Sequence, residues 1–305
     1  MDVIVGLLAL GVVGAGLVRT IVWGMEVPMD GAARNAAPGQ FVGLREGVTH
    51  YQVAGPAGGP VVLCIHGLTT PSFVFDGMVP GLVAQGYRVL RYDLYGRGFS
   101  DRPKGAYDVH RFVGQAVELL DALKIDVPVT VMGYSMGGAV ATALTQAHPT
   151  RVRRLVLLAP GGLGHDLGWF SEICARLPVL GDWMFTTLGG WVLRRDAARA
   201  PDMVGAVRDL TARSQAETWG RGYMRAVLSS QRHMLSVDQA GVHALLGQTG
   251  LPVTAIWGAA DTVIPSRAME RLAQANRSAH QKVIAGAGHD LPSGHSPEVL
   301  RLLLD

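Results

Sequence analysis

Hydrophobic positions along the chain fall into short runs that alternate with amphipathic stretches. The stretches 112–123 and 139–147 repeat apolar residues at helical spacing, whereas the short runs are rich in β-branched residues and have the length of strands. Because strands that alternate with helices build a mostly parallel sheet covered by helices, the pattern predicts an α/β fold with a doubly wound sheet. The predicted strands are residues 50–53, 61–65, 88–92, 129–132, 155–158, 253–257 and 281–284.

One interval interrupts this alternation. Residues 162–248 show no convincing strand pattern and carry Trp, Leu, Met, Arg and Ala at helical spacing. We interpret the interval as a helical insertion between two parts of the sheet domain, residues 48–161 and 249–305. Residues 25–47 are rich in Gly, Ala and Pro with little periodicity, so a linker is expected there.

An almost unbroken apolar run occupies residues 3–18. As a helix, residues 3–23 would extend roughly 30 Å, which matches the hydrocarbon thickness of a bilayer. Arg19 and Trp23 would then lie near the membrane interface, where both residue types are favoured. We therefore expect residues 1–24 to form an uncleaved membrane-anchor helix in contact with membrane lipid.

Two other interpretations of this run are weaker. A cleaved signal peptide needs a basic start and a small-residue cleavage site, but Asp2 is the only charged side chain before the run. A helix that is buried or binds a partner is the second alternative. For an anchor, Arg19, Arg34 and Arg45 all follow the run, so the positive-inside rule places the rest of the chain in the cytoplasm.

Composition narrows the classes of function. With 17% charged and 49% hydrophobic residues, the 305-residue chain has the material for a sizeable core. The formal net charge is only +3 and basic residues are interleaved with acidic ones, so no nucleic-acid partner is expected. Cys64 and Cys174 provide neither a disulfide framework nor a metal-ligand spacing. The sequence has no metal cluster or phosphate loop, and no cofactor is expected.

Candidate chemistry begins with VTVMGYSMGGAVATAL, residues 129–144. A predicted strand leads into Gly133-Tyr134-Ser135-Met136-Gly137 and a helical pattern follows at once, which is the context of a G-x-S-x-G nucleophile elbow. The motif predicts that Ser135 is a nucleophile at a helix N-terminus, where free N–H groups favour negative charge. A loop for a dinucleotide phosphate is disfavoured, because the spacing is not G-x-G-x-x-G and no acidic residue follows the next strand.

A second segment, VVLCIHGLTTP at residues 61–71, is an apolar strand that ends in His66-Gly67. A serine nucleophile needs two backbone N–H groups that bind the oxyanion of the tetrahedral intermediate. We expect one from Met136, the residue after the nucleophile, and the other from Leu68. His66 is expected to be structural, with its ring turned toward neighbouring backbone.

The acid and the base are expected after later strands, in the order nucleophile, acid, base. Asp261 follows an apolar strand and a glycine turn in PVTAIWGAADTVIP, whereas the position after strand 155–158 has no carboxylate. Among the later histidines, His280 precedes the last predicted strand and His295 lies in a later polar turn. His289 follows the last strand, where catalytic groups gather in parallel sheets, so it is the predicted base.

Another acidic residue at a strand end, Asp93 in RYDLYGRGFSD, precedes the serine in the chain. We interpret Asp93, Arg97 and Asp101 as a structural turn network, with a contribution to the shape of the site as the alternative.

These motifs resemble those of the α/β-hydrolase superfamily from about Val48 to the end of the chain. The GYSMGG elbow and the HGL loop, together with the expected anchor, are similar to those of membrane-bound monoacylglycerol-lipase-like enzymes. The resemblance implies a serine hydrolase with catalytic residues Ser135, Asp261 and His289, and a helical cap over an acyl pocket. Its substrate would be a small apolar ester, with no cofactor. The matching segments are HGL, RYDLYGRGFSDRP, GYSMGG, GAADTVIP and GAGHD.

Other families of this fold are alternatives. Dehalogenases and epoxide hydrolases have Asp at the elbow, and Ser135 argues against both. Meta-cleavage C–C hydrolases share the triad but usually carry HGxGPG and an Arg after the WG turn, where this chain has HGLTTP and WGAADTVIP. Cofactor-free perhydrolases are a third alternative, and a membrane-tethered binding protein on a hydrolase fold is the non-enzymatic one.

Large apolar side chains in the helical insertion bear on the substrate. About half are expected to pack in a core and the rest to form the wall of a ligand pocket. This predicts a preference for uncharged medium-chain esters. The residues are Trp169, Phe170, Trp183, Met184, Phe185, Leu188 and Trp191.

Overall fold

The computed structural model describes residues 2–35, 37–199 and 207–304. Its strands are β1 (Gln40–Leu44), β2 (Gly47–Ala54), β3 (Val61–Ile65), β4 (Arg88–Tyr92), β5 (Val129–Tyr134), β6 (Val152–Leu158), β7 (Val253–Gly258) and β8 (His280–Ile284). They form one eight-stranded sheet in the order β1-β2-β4-β3-β5-β6-β7-β8. The pairs β1–β2 and β2–β4 are antiparallel, and the pairs from β4 to β8 are parallel.

Helices connect these strands and cover the sheet. Short 3₁₀ segments lie at Ser72–Phe75 and Pro149–Arg151, and a π-helical turn lies at Gln231–Leu235. The α-helices are α1 (Asp2–Met25), α2 (Gly31–Asn35), α3 (Val79–Ala84), α4 (Val109–Ala122), α5 (Met136–Ala147), α6 (Trp169–Arg176), α7 (Leu180–Arg199), α8 (Leu210–Glu217), α9 (Tyr223–Ser230), α10 (Ala240–Leu246), α11 (Ser266–Ala275), α12 (Leu291–Gly294) and α13 (Ser296–Leu304).

The centre of the sheet is formed by β3 and β5, in which every residue is buried. Their near-continuous apolar sequences suit strands that helices cover on both faces. The parallel register sets the carboxyl ends side by side, with Ile65 opposite Gly133 and Tyr134 opposite Leu158. The predicted mostly parallel, doubly wound α/β sheet is confirmed. The loops that follow its strands therefore meet along one edge.

The interval 25–47, expected to be a linker, contains α2 and the edge strand β1. β1 pairs with β2 from Gln40 opposite Tyr51 to Leu44 opposite Gly47. This pairing supplies its backbone hydrogen bonds. A strand of only five residues in a Gly- and Pro-rich context shows no alternating pattern, and so its formation depends on β2 rather than on its own sequence.

Helices α6–α10, called the cap from here on, lie between β6 and β7. Within residues 162–199 and 207–248 this interval contains helices and no strand. The cap is joined to the core by hydrogen bonds to the loops after β4: Tyr107 donates its backbone N–H to Ser229 Oγ (3.0 Å), and Gly98 donates its N–H to Glu217 Oε2 (2.9 Å). The cap therefore packs directly on the edge of the sheet where the strand-end loops meet.

The N-terminal helix corrects a prediction. In the part of the chain that the structure describes, no helix combines the length and the apolar character that crossing a membrane requires. The expected membrane anchor at residues 1–24 is therefore wrong, and the contact with membrane lipid and the cytoplasmic placement derived from it have no support. Helix α1 covers Asp2–Met25 and includes the charged side chains of Asp2 and Arg19.

Helix α1 also has specific contacts within the protein. The Trp183 indole N–H in α7 donates to the Ala15 carbonyl (3.1 Å), and Arg19 forms an ion pair with Glu26 (3.0 Å). Just beyond the helix, Val27 donates its N–H to the Trp219 carbonyl (2.7 Å). These contacts bring the N-terminal segment against the cap.

Candidate active site

The predicted nucleophile, Ser135, lies between β5 and α5 in a strained turn. Its φ of 54° and ψ of −123° fall in a region that residues other than glycine rarely adopt. The flanking glycines allow this turn, because a Cβ at Gly133 would lie 2.3 Å from the Gly137 carbonyl oxygen, and one at Gly137 would lie 2.1 Å from the Ile65 carbonyl oxygen. Side chains at either position are excluded by backbone. The turn projects the Ser135 side chain at the N-terminus of α5.

Asp261 and His289 lie next to this serine. Asp261 follows β7 and His289 follows β8, so both come from strand ends on the same edge of the sheet as the elbow. His289 Nε2 is 2.9 Å from Ser135 Oγ, and His289 Nδ1 is 2.7 Å from Asp261 Oδ2. The structure thus brings together all three side chains predicted from the sequence, in one hydrogen-bonded line.

The orientation of Asp261 is fixed by backbone. Its Oδ1 accepts hydrogen bonds from the N–H groups of Val263 and Ile264, both at 2.8 Å, and its side chain is only 1% exposed. Oδ2 is left to accept from Nδ1 of His289. Because Nδ1 must then carry a proton, neutral His289 has an unprotonated Nε2 facing the serine hydroxyl.

The predicted oxyanion donors belong to the loop after β3 and to the residue that follows the serine. Gly67 lets the loop after β3 approach closely, since a Cβ there would lie 3.2 Å from Ser135 Cβ. Met136 begins α5, so its N–H is one of the helix's first, which have no intrahelical acceptor. Within the described ranges, neither Leu68 nor Met136 donates its backbone N–H to an acceptor in the protein.

The ring of His66 orients the Leu68 N–H. His66 Nε2 accepts from the Leu94 N–H (2.9 Å), so Nδ1 carries the proton and donates to the Gly67 carbonyl (2.9 Å). In a trans peptide the N–H points opposite to the carbonyl, so this bond directs the Leu68 N–H away from His66. Complete burial lowers the pKa of His66 to about 4, which keeps the ring neutral. The expected structural role of His66 therefore includes the geometry of the oxyanion loop.

The turn network after β4 is built around the buried carboxylate of Asp93. Oδ1 accepts from the Ser72 hydroxyl (2.6 Å) and N–H (3.0 Å), while Oδ2 accepts from the Phe99 N–H (3.0 Å) and lies 2.7 Å from His50 Nδ1. Burial alone would raise the pKa of Asp93, but His50 and Ser72 outweigh it and hold that pKa well below its usual range. This carboxylate stabilises the loops and lies apart from the hydrogen-bonded line through Ser135.

Two contacts at the site were not predicted from the sequence. The Tyr134 hydroxyl donates to the His289 carbonyl, and Arg97 Nε donates to the Leu68 carbonyl (3.0 Å). Tyr134 sits inside the elbow motif, but no spacing rule links its hydroxyl to a loop far along the chain. Arg97 was assigned to the turn network, and its position in a glycine turn did not indicate that its side chain contacts the Leu68 carbonyl.

The apolar cap residues are divided between core and surface. Phe185 is buried and stacks with Phe170, with ring centroids 6.1 Å apart. Trp169 and Trp191 are 74% and 58% exposed, and Leu188 is also exposed. Those three side chains do not form the wall of an enclosed pocket. The apolar lining expected from the sequence is therefore smaller than the composition of the cap suggested.

Comparison with known proteins identifies the class. A family model described as alpha/beta hydrolase fold matches residues 60–295. An uncharacterized protein of Mycobacterium tuberculosis is 30% identical over 258 residues, which cover 78% of this chain and 72% of the relative. The 2-hydroxymuconate semialdehyde hydrolase of Pseudomonas putida is 30% identical over 233 residues, which cover 72% of this chain and 76% of the relative. The chain belongs to the α/β-hydrolase fold family, and it is a hydrolase.

The fold is also similar to solved structures. The enol-lactonase from Burkholderia xenovorans LB400 superposes with a TM-score of 0.69 at 22% identity, covering 87% of this chain and 98% of the enol-lactonase. At that identity the likeness shows the fold alone, so the reaction has to be argued from the site.

Proposed function

We propose that this hydrolase cleaves carboxylic esters of apolar substrates by acyl transfer through Ser135. The observation that carries the proposal is the continuous line from Asp261 through His289 to Ser135, with spacings of 2.7 Å and 2.9 Å. These are hydrogen-bond distances in the order that nucleophile activation requires. We assign Ser135 as nucleophile, His289 as general base and Asp261 as the acid that orients the imidazole.

The reaction would proceed in two halves. Ser135 Oγ attacks the ester carbonyl while His289 Nε2 takes its proton, and the resulting imidazolium is stabilised by Asp261. The tetrahedral intermediate collapses as His289 gives that proton to the leaving alcohol, which leaves an acyl group on Ser135. A water molecule, deprotonated by His289, then attacks the acyl carbonyl and releases the acid and the free serine.

The negative charge that develops on the carbonyl oxygen is assigned to the N–H groups of Leu68 and Met136. Both are backbone donors whose positions are set before substrate arrives, so they need no reorganisation during the reaction. Loss of one such donor typically costs about 10²–10³ in kcat. The N-terminal end of α5 adds a favourable partial charge at the same place.

The proposed substrate class is supported by the surroundings of the serine and by the sequence motifs. Leu235 brings apolar surface near the elbow, since a Cβ at Gly161 would lie 2.8 Å from Leu235 Cδ2 and 3.4 Å from the Ser135 carbonyl oxygen. The HGL loop and SMGG turn, which resemble those of monoacylglycerol-lipase-like enzymes, favour a lipid-like ester.

The test uses purified full-length protein. Wild type should react covalently with a fluorophosphonate probe at Ser135, located by peptide mass spectrometry, and should hydrolyse p-nitrophenyl esters. Ser135→Ala should lose labelling and nearly all turnover while keeping its circular dichroism spectrum. Wild-type activity in the Ser135→Ala protein would overturn the assignment.

Cleavage of a carbon–carbon bond is the second candidate. The 30% identity to the 2-hydroxymuconate semialdehyde hydrolase of Pseudomonas putida favours it, because that relative covers most of the chain. The same serine, histidine and oxyanion donors would serve such a reaction. Turnover of a vinylogous diketone faster than any ester in the panel would make it the better assignment.

A further inference from the structure

The backbone of the oxyanion loop is held by three consecutive side-chain hydrogen bonds. The carbonyl of Gly67 accepts from His66 Nδ1 (2.9 Å), that of Leu68 from Arg97 Nε (3.0 Å), and that of Thr69 from the Tyr223 hydroxyl (2.6 Å). His66, Arg97 and Tyr223 are all buried. Three consecutive carbonyls of this loop are thus each held by a buried side chain.

Two of these three bonds depend on the cap. Tyr223 is the first residue of α9, and the Ser230 hydroxyl at the other end of α9 accepts from Arg97 Nη2 (2.8 Å). Ser230 Oγ in turn donates to the Ala226 carbonyl one turn back (2.8 Å), which orients its lone pairs toward Arg97. One cap helix therefore contacts the oxyanion loop directly through Tyr223 and through one intermediate, Arg97.

Arg97 is an unusual group for a purely structural contact. Its side chain is 0% exposed, and within the described part of the chain it forms no ion pair with a carboxylate. Its donors instead serve the oxygens of Leu68, Tyr95 and Ser230. Burial lowers the pKa of Arg97 to about 10, so the group stays charged at neutral pH. The guanidinium also lies over the rings of Tyr107 and Phe112, 5.9 Å and 5.7 Å from their centroids. A buried charge without a carboxylate partner costs free energy that an apolar side chain in this place would not.

We propose that α9 clamps the oxyanion loop, with Arg97 and Tyr223 as positioning residues: they fix the two peptides that follow Leu68 and thereby hold in place the segment that carries the Leu68 N–H. The proposal rests on acyl transfer at Ser135. Its consequence is that the position of the cap and the quality of the oxyanion hole are coupled. A shift of the loop by about 1 Å costs up to about 10²-fold in rate when a reacting group is misplaced, so a small loosening should be measurable.

The first experiment compares Tyr223→Phe with Tyr107→Phe. Each substitution keeps the ring and removes one hydroxyl that donates to a backbone carbonyl, at Thr69 (2.6 Å) or at Pro103 (2.8 Å). Only the first carbonyl belongs to the oxyanion loop. We expect Tyr223→Phe to lower kcat about ten-fold with KM changed less than about two-fold, because the lost interaction acts in the transition state. Tyr107→Phe should keep the wild-type kcat even if its melting temperature falls.

The second experiment varies the link through Arg97. Arg97→Met should lower kcat about 100-fold, near the effect of losing one oxyanion donor. Arg97→Lys keeps the charge but not the planar fork of donors, and it should recover only part of that loss. Ser230→Ala removes the cap end of the link with little change in shape, and should lower kcat a few-fold. Titration with a fluorophosphonate gives the active fraction, so that kcat is expressed per reactive serine.

A readout specific to the oxyanion separates positioning from general loss of structure. A trifluoromethyl ketone adds to the serine as a tetrahedral oxyanion, so its Ki should rise in each variant by the same factor by which kcat falls. Unchanged kcat and Ki in Tyr223→Phe and Ser230→Ala, with both proteins folded, would overturn the clamp. Failure of the proposed function would look different, because wild type itself would then neither react with the fluorophosphonate nor hydrolyse esters.

Discussion

The Tyr134 hydroxyl donates a hydrogen bond to the backbone carbonyl of His289, the predicted base. Tyr134 directly precedes the predicted nucleophile, and its ring lies beside the imidazole with centroids 5.2 Å apart. The elbow therefore supports the base as well as the serine. A single buried strand end fixes the relative position of two groups that are far apart in the chain.

Tyr134→Phe tests this support. The ring contact stays and the hydrogen bond is lost, so the loop that carries His289 gains freedom. We expect kcat/KM for p-nitrophenyl esters to fall about three- to ten-fold, corresponding to roughly 1 kcal/mol for one hydrogen bond. Tyr92→Phe is the matched control, because the buried Tyr92 hydroxyl has no hydrogen-bond partner among the described residues. Equal activity of the two variants would show that the His289 loop needs no such support.

Asp261→Asn tests the orientation of the base. The two backbone N–H bonds to Oδ1 should hold the amide in place, but the amide no longer stabilises an imidazolium or selects its tautomer. We expect kcat to fall by about 10³–10⁴ with little change in KM. Stopped-flow and steady-state assays on the same active-site-titrated sample measure the change in kcat and in KM. A loss below ten-fold would mean that another group orients His289.

Stability should depend on the pair of Asp93 and His50. The Pro38 carbonyl and the Asp93 carboxylate both face ring nitrogens of His50, so the ring is protonated. Burial lowers the pKa of His50, but the bond to Asp93 outweighs it and raises that pKa overall. A raised histidine pKa contributes stability that is fully present below the unfolded value, about 6.5, and is lost as pH rises through the folded value. The depressed Asp93 pKa contributes stability above about 4 that is lost as pH falls.

Asp93→Asn should therefore destabilise the protein by about 3–5 kcal/mol near pH 6, because it leaves a buried imidazolium without its carboxylate. Urea unfolding at a series of pH values measures this. The difference in unfolding free energy between the variant and wild type should shrink above the folded pKa of His50, where the ring is neutral. A difference that is independent of pH from 5 to 9 would contradict the charged pair.

His243 offers a stabilising substitution. This side chain in α10 is fully buried, and neither ring nitrogen has a partner among the residues described. Burial lowers the pKa of His243 to about 4. Between about pH 6.5 and 4 the unfolded chain therefore binds a proton that the folded protein does not bind. His243→Leu removes an unsatisfied polar group and should stabilise by about 1–3 kcal/mol, with a gain that grows as pH falls. The exposed His110→Leu in α4 is the control and should change the unfolding free energy by less than about 0.5 kcal/mol.

Local sequence was sufficient for seven of the eight strands, β2 to β8, and for the three residues of the hydrogen-bonded line. The strands β3 and β4 have the predicted bounds because their apolar runs end at glycine-containing turns, and the elbow is recognisable from five adjacent residues. Strand β1 was missed because its hydrogen bonds come from β2. Helix α1 was wrongly interpreted as a membrane anchor, because an apolar run does not show whether lipid or protein contacts it. The roles of Arg97 and Tyr223 depend on how the cap docks, which no local spacing encodes.

Chain-length preference is the last prediction. Trp169, Leu188 and Trp191 are exposed, so the acyl chain should meet apolar surface mainly near the serine, where Leu235 approaches Gly161 beside the elbow. Each buried methylene adds about 0.8 kcal/mol, or roughly four-fold in kcat/KM, until the pocket is full. We expect kcat/KM for p-nitrophenyl esters from acetyl to dodecanoyl to be highest at medium chain length, above that for acetate and for charged amides.

Leu235→Ala should flatten the rise of kcat/KM with chain length, while substitution of the exposed Trp169 (Trp169→Ala) should leave that rise unchanged. A maximum at acetyl in wild type, with the same profile in both variants, would exclude an apolar acyl pocket beside Ser135.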